Sequence, residues 1–542
     1  MKLPAPRTEA RILAIMLIPF LLLLLVFGYM GFCSFPISDD FIMAQDLSKG
    51  FFWAVQYWLG YWLSSWTTAA AELCIPLAFG FYDYGLVFFL FVACSLFFSS
   101  LLLFRTFLAN RQQALAASFL FFTVYLIFVP SVSEVVYWNI GALAYTIPFA
   151  GFLSFIAFHE KARIHVQNTS AGPETKYLIA LGITAAAGLF YIWKVVRVGR
   201  FIVILDGIFP PDYVYLYWAF LLFLTGAVYF LSSRFYFLNH VLMAVLAFLV
   251  VGLSPQTAIF LLSYAGIYLA FDLYKRRSWK TFSLFVFLAV AACFFIMMKM
   301  PGTAGRMSLT NPHIKKDLHF YLLANLNLIK VHFLTNFTGA GYLLTFFTGL
   351  ILRSGFDGRG QTFRKELPWL FLMSVLALHV VSVLLFHFSN GHFPLRLSCS
   401  FIALNYLLFF AAGITMPLAK RQEGILREKA VPAAFLAMVL LLAISPNPAR
   451  AISEIWSGEA GRFRAYKLDQ YQRIQNCKSD TCTVPYQSFA LQTIQNQEFV
   501  FPGDKGFLLS HKFFVSRYFK KELIRYDVRT LPPEKVPSVH PK

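Results

Sequence analysis

Charge is scarce in this chain. Only 13% of its 542 residues are Asp, Glu, Lys or Arg, whereas 58% are hydrophobic and 18% aromatic. With a mean hydropathy of +0.64, too little polar surface remains to cover a soluble core of that size. Acidic residues are scarcest, 26 against 46 Lys and Arg, so each carboxylate is worth locating. No glycine-rich phosphate loop opens a helix after a strand, which argues against a soluble nucleotide-sugar donor. No repeat or low-complexity tract stands out. Of the seven cysteines, Cys33, Cys74, Cys94, Cys293 and Cys399 lie in or beside apolar runs without the paired spacing of zinc sites, and read as core residues.

What the chain has is apolar runs separated by basic clusters. A spanning helix needs about 20 apolar residues, and on that measure the sequence predicts an all-α polytopic membrane protein with about 13 transmembrane helices. The runs lie near 12–32, 84–104, 112–130, 141–158, 177–193, 213–232, 237–253, 257–274, 281–299, 330–352, 368–387, 398–418 and 430–446. The first is too long, and its exit Cys33-Ser34-Phe35-Pro36 too poor a cleavage site, for a signal peptide. In a soluble protein a formal charge of +20 would point to nucleic acid. Here the basic residues mostly mark loops retained in the cytoplasm, so no nucleic-acid partner is expected.

Lys2, Arg7 and Arg11 before the first run place the N-terminus inside. His159, Glu160, Lys161 and Arg163, the Lys275-Arg276-Arg277 cluster, and Lys420, Arg421, Arg427 and Lys429 read as inner loops. An odd number of spans then leaves the tail outside. Residues 1–446 form the membrane module, with outer loops at 33–83, 131–140, 300–329 and 388–397, and 447–542 read as a small soluble α/β domain. Within it, 506–509 suggest a strand and 513–518 a helix. Cys477 and Cys482 flank a short polar turn, which suits a small disulfide loop if that side is oxidising. Lys194, Arg197, Arg200, Arg306, Lys315, Lys316 and Arg396 fall on the outer side against the rule. Either the topology differs locally or they serve an anion there, such as a lipid-linked phosphate.

Six acidic residues lie in the first two outer loops: Asp39, Asp40, Asp46, Glu72 and Asp83 in the first, Glu134 in the second. Ionisable groups beside a bilayer are costly, which makes them functional candidates. Asp39 and Asp40, side by side after the first run, repel each other. That favours a base poised near neutral pH, or a shared divalent cation. The plain alternative is a helix cap, for which Ser38-Asp39-Asp40 is good sequence. Trp53, Tyr57, Trp58, Tyr61, Trp62 and Trp66 recur at helical spacing, as in a helix lying at the membrane interface or one that stacks on sugar rings.

Taken in order, Ser38-Asp39-Asp40-Phe41, Tyr57-Trp58-Leu59-Gly60, Ser133-Glu134-Val135-Val136-Tyr137-Trp138, Gly141-Ala142-Leu143-Ala144-Tyr145 and Pro301-Gly302-Thr303-Ala304-Gly305-Arg306 resemble the multi-spanning glycosyltransferases of the GT-C type. The likeness is to a bacterial group that includes O-antigen-modifying glucosyltransferases. It covers most of the chain, in short motifs. The resemblance implies an inverting transfer of sugar from a polyprenyl-phosphate donor to a glycan or lipid-linked acceptor, at the periplasmic face of the inner membrane. By resemblance, Asp39 or Asp40 would take the proton of the acceptor hydroxyl, with Asp39 the favoured base and Asp40 orienting the acceptor or donor. Glu134, Tyr137, Trp138, Tyr57 and Trp58 would contact sugar, and Arg306, Arg396, His392 and Arg200 the lipid phosphate. No metal site is expected from the scattered His313, His319, His387 and His392. The chain departs from the family at Gly60-Tyr61, where Gly-Arg is common, and at Gly252-Leu253-Ser254-Pro255-Gln256-Thr257, where an acidic residue is common. A transporter or flippase of lipid-linked glycans, or a polysaccharide polymerase, is the alternative.

Overall fold

The computed structural model describes residues 6–37, 39–61, 63, 65–108, 110–168, 236–275, 280–302, 338–355, 395–416, 418, 420–485, 491, 493–494 and 515–527. Among the described residues before the tail, the α-helices are α1 (Pro6–Phe32), α2 (Asp39–Leu47), α3 (Phe51–Tyr61), α4 (Trp66–Glu72), α5 (Gly85–Phe107), α6 (Arg111–Phe128), α7 (Asn139–Asn168), α8 (Tyr236–Val251), α9 (Pro255–Tyr274), α10 (Lys280–Met298), α11 (Thr338–Gly355), α12 (Leu395–Thr415) and α13 (Lys420–Ala443). The tail follows as α14 (Pro446–Trp456), α15 (Glu459–Asn476), β1 (Thr481–Pro485) and β2 (Leu523–Asp527). Seven of these helices are long and apolar enough to cross a membrane, and eight if the pair α13 and α14, bent by 63°, is one span. The protein is therefore a helical, polytopic membrane protein. The expected spans near 177–193, 213–232 and 368–387 lie outside the described residues.

Burial sorts the spans into centre and rim. α6 is the least hydrophobic of the seven, yet its apolar stretch is 83% buried; α1 is the most hydrophobic, and its apolar stretch is only 39% buried. An inner helix touches protein rather than lipid and can carry Ala114, Ala116, Ala117 and Ser118, all fully buried, whose small side chains let neighbours approach. Rim helices instead turn large apolar side chains outward, among them Ile18, Leu25, Val87, Phe295, Phe347 and Phe435, each more than half exposed. Those faces suit lipid.

Contacts fix which helix ends lie together. At one end, the close of α1 meets the start of α5, where Gly85 leaves no room for a Cβ, which would sit 2.4 Å from the Gly31 carbonyl. Here too the Gly252 carbonyl, between α8 and α9, accepts the amides of Thr67 and Thr68 at 2.9 and 3.3 Å. Gly302, past α10, lies against the Leu59 and Leu63 carbonyls, and Asn447 of α14 donates to Leu126 and Val129 at 3.1 and 2.8 Å. At the other end, the starts of α1 and α6 meet through Asn110 and Glu9 at 3.5 Å, and Gln113 donates to Leu352 of α11 at 3.2 Å. The acidic segment and the tail thus share one end of the bundle. α11 and α12 run parallel, from Tyr342 against Tyr406 (ring centroids 4.6 Å) to Arg353 on the Met416 carbonyl.

Two helix ends differ from the sequence reading. α7 was expected to stop near 158, with His159, Glu160 and Arg163 in an inner loop. It continues to Asn168, and these three side chains are 1%, 3% and 2% exposed. Inside, they find partners in one another and on α9: His159 Nδ1 lies 2.8 Å from Tyr264 Oη, that hydroxyl donates to Glu160 at 3.4 Å, and Arg163 pairs with Glu160 at 3.5 Å. Only Lys161 of the group is exposed. Likewise α13 starts at Lys420, ten residues before the apolar run near 430–446. Its basic residues form helix rather than loop.

In the tail, α14 and α15 precede a two-stranded parallel sheet, with Thr481 opposite Leu523. The strand at 523–527 was not anticipated. The one expected near 506–509 lies outside the described residues, and residues 515–518 are helical, inside the expected 513–518.

Candidate functional site

α1 delivers the chain to the acid pair through residues 33–37, and α2 begins with the two aspartates. They occupy different environments. Asp40 is fully buried, and both its oxygens are engaged. Oδ2 accepts the Ile37 amide at 2.9 Å and Asn139 Nδ2 at 3.0 Å, while Oδ1 accepts the Ile140 amide at 3.3 Å. Asn139 also donates to the Tyr84 hydroxyl at 2.6 Å. One carboxylate thereby staples the end of the first loop to the start of α7. Burial pushes the Asp40 carboxyl up to about 7; the charge of Asp39 adds to this, and the three hydrogen bonds work against it. Asp39 is only half-buried. Of the pair, Asp39 is the carboxylate that meets solvent, and Asp40 the one that orients protein.

The segment at 131–138 packs just behind. Residues 133–137 form a single π-helical turn, with Glu134 at 4% exposure and Tyr137 at 3%. The turn lies so close to α7 that a Cβ on Gly141 would come within 2.0 Å of the Glu134 carbonyl. Only glycine fits there. Tyr137 was expected at a sugar. In the structure its hydroxyl donates to the Phe27 carbonyl at 2.8 Å and its ring stacks on Phe89 at 5.9 Å, which makes it a strut between α1 and α5.

The aromatic stretch divides by face. Trp58 and Trp138, each 8% exposed, share an apolar cluster with Met43, Leu47, Ala54 and Leu73 that fastens α2 and α3 to the start of α7. Burial in that cluster gives both indoles a packing role. On the other face, Trp53, Tyr57 and Tyr61 stack in a ladder with centroids 5.2 and 5.9 Å apart, and the Lys49 ammonium caps Trp53 at 4.6 Å. The ladder covers both faces of the Tyr57 ring, between Trp53 and Tyr61. Tyr57 and Tyr61, 43% and 55% exposed, therefore suit the headgroup layer.

Arg306, His392 and Arg200 lie outside the described residues, as do His313, His319 and His387. Arg396 stands in the first turn of α12, and its side chain also lies outside them. Cys477 and Cys482 form the anticipated disulfide, whereas Cys33 is a free thiol that burial pushes up to about 11. Among the described residues no group of three or more His, Cys, Asp and Glu could hold a metal ion.

Sequence reasoning did not foresee the tail's part. Arg464 of α15 makes a two-pronged ion pair with Asp83 at 2.6 and 2.7 Å and lies 3.5 Å over the Phe32 ring. These partners are hundreds of residues apart, and no local signal joins them. The chain matches no known protein family, no curated protein and no solved structure.

Proposed function

We propose that this protein is an inverting glycosyltransferase of the GT-C type, moving a sugar from a polyprenyl-phosphate donor to a glycan or lipid-linked acceptor at the outer face of a bacterial inner membrane. The observation that carries this reading is the division of labour in the acid pair: a braced, buried Asp40 holds a half-buried Asp39 where α1 leaves the bilayer. Asp39 takes the proton of the acceptor hydroxyl as its oxygen attacks the anomeric carbon; the bond to the lipid phosphate breaks on the opposite face, inverting that centre. The departing phosphate needs preorganised cations, a role for Arg306, Arg396, His392 and Arg200. The fuller architecture belongs to the same proposal: about 13 spans, a cytoplasmic N-terminus and a periplasmic α/β tail.

Asp39→Asn in purified protein, assayed with polyprenyl-phosphate sugars in nanodiscs, should lower transfer by about 10²–10⁴-fold, the usual worth of a general base. Full activity in that variant would exclude the proposed base.

One observation favours a second reading, a flippase for lipid-linked glycans. His159, Glu160, Arg163 and Asp272 are buried among α7, α9 and α10, with Asp272 accepting Ser283 Oγ at 2.6 Å. Ionisable groups inside a helical bundle mark transport paths in many membrane proteins. A flippase would lose lipid translocation in Asp272→Asn and keep it in Asp39→Asn; the transferase would show the reverse dependence for sugar transfer.

A further inference from the structure

Phe41 follows Asp40, is fully buried, and is gripped by two parts of the tail. From α15, Tyr471 reaches its ring at 6.0 Å; from residues 515–519, Tyr518 and Phe519 reach it at 5.3 and 6.3 Å. Each part also holds the acidic segment by hydrogen bonds. Tyr471 donates its hydroxyl to the Pro36 carbonyl at 3.2 Å, and both Tyr471 and Phe463 pack on Phe35. On the other side, Tyr518 donates to the Leu77 carbonyl at 2.8 Å and Gln45 donates to the Arg517 carbonyl at 3.3 Å.

These two jaws are joined at the disulfide. α15 ends at Asn476, one residue before Cys477, and the Cys477–Cys482 bond closes the turn that leads into β1. Lys521, just beyond the second jaw, donates its ammonium to the carbonyls of Cys477 and Ser479 at 2.5 and 3.1 Å. The Glu522 amide donates to Asp480 at 3.0 Å, and β1 and β2 then pair in parallel. The turn under the disulfide is the part both jaws share.

We infer that the tail is a two-jawed clamp in which Tyr471 and Tyr518 are positioning residues for the acid pair, with the Cys477–Cys482 turn setting the gap between them. This rests on the glycosyltransferase reading for its catalytic consequence alone. Loosening either jaw frees Phe41 and, through it, the first turn of α2. Reducing the disulfide relaxes both jaws at once, which ties order at the acid pair to an oxidising compartment.

Hydrogen exchange of the full chain in nanodiscs tests this for wild type, Tyr471→Ala, Tyr471→Phe and the Cys477→Ser/Cys482→Ser double variant. Amides of residues 37–47 should exchange about five- to thirtyfold faster in Tyr471→Ala and in the cysteine variant, the range that separates a held segment from one released by a few contacts. Tyr471→Phe, which keeps the ring, should restore most of the protection, while peptides from α6 stay slow throughout. The Asp40 titration, followed by infrared difference spectra, should move down from near 7 towards the ordinary carboxylate range in Tyr471→Ala, as water reaches it. If Tyr471→Ala also loosens α6, the cysteine variant decides. Unchanged exchange at 37–47 in the cysteine variant would overturn the clamp. Because these readouts need no substrate, absent sugar transfer in the wild type would count against the functional reading and leave the clamp standing.

Discussion

At the scale of single residues, the two aspartates have the same chemistry and different roles, and pH separates them. The folded chain holds the Asp40 proton up to about pH 7, whereas an unfolded chain releases it near the ordinary value of about 4. Between those values the folded state binds more protons, so this group's contribution to stability is complete below about pH 4 and lost as pH rises through about 7. Asp40→Asn, which cannot titrate, should flatten that slope, a difference of up to about 4 kcal/mol across the window. Thermal unfolding in detergent at several pH values measures it; equal slopes for both proteins would remove Asp40 as the titrating group. The sequence made the pair conspicuous but not the asymmetry within it. Asp40 is distinguished by Asn139 and Ile140, about a hundred positions away, and no local pattern announces such partners.

Helices are the scale at which the sequence spoke most clearly, because long apolar runs have few other solutions in a membrane. Their ends were less legible. α7 and α13 continue through charges that look like loop, in α7 because those charges find partners on α9. Close packing was hidden as well, since Gly413 and Gly424 look alike in the sequence and differ in three dimensions. A Cβ on Gly413 would sit 2.1 Å from the Phe346 carbonyl of α11, whereas one on Gly424 meets nothing within 4 Å. Gly413→Ala should therefore destabilise by about 1–3 kcal/mol, because a backbone carbonyl cannot step aside as a side chain can. Gly424→Ala, on an exposed stretch of α13, should stabilise by about 0.5–1 kcal/mol through the lower freedom of the unfolded chain. Opposite shifts in melting temperature are the expected result; shifts of the same sign would mean that α11 and α12 pack less closely.

For the whole molecule, the question is which side of the membrane carries the acid pair and tail. Their contacts put both at one end of the bundle, and the sequence reached the same pairing by counting spans. Among the described residues, Arg105, Arg111, Lys161, Lys275, Arg353, Arg421 and Arg427 sit at or near helix termini of the opposite end. Basic residues beside spans are held in the cytoplasm, so that end should be inside and the acid pair outside. A membrane-impermeant thiol reagent applied to intact cells should then label Gly60→Cys and Ser457→Cys, both on exposed positions at the acid-pair end, and spare Arg111→Cys until the membrane is opened. The inverse pattern would place Asp39 in the cytosol, out of reach of a donor presented at the outer face. Labelling of Gly60→Cys and Ser457→Cys from opposite sides would be more damaging still. It would break the contacts between Arg464 and Asp83 and between Tyr471 and Pro36, and with them the clamp.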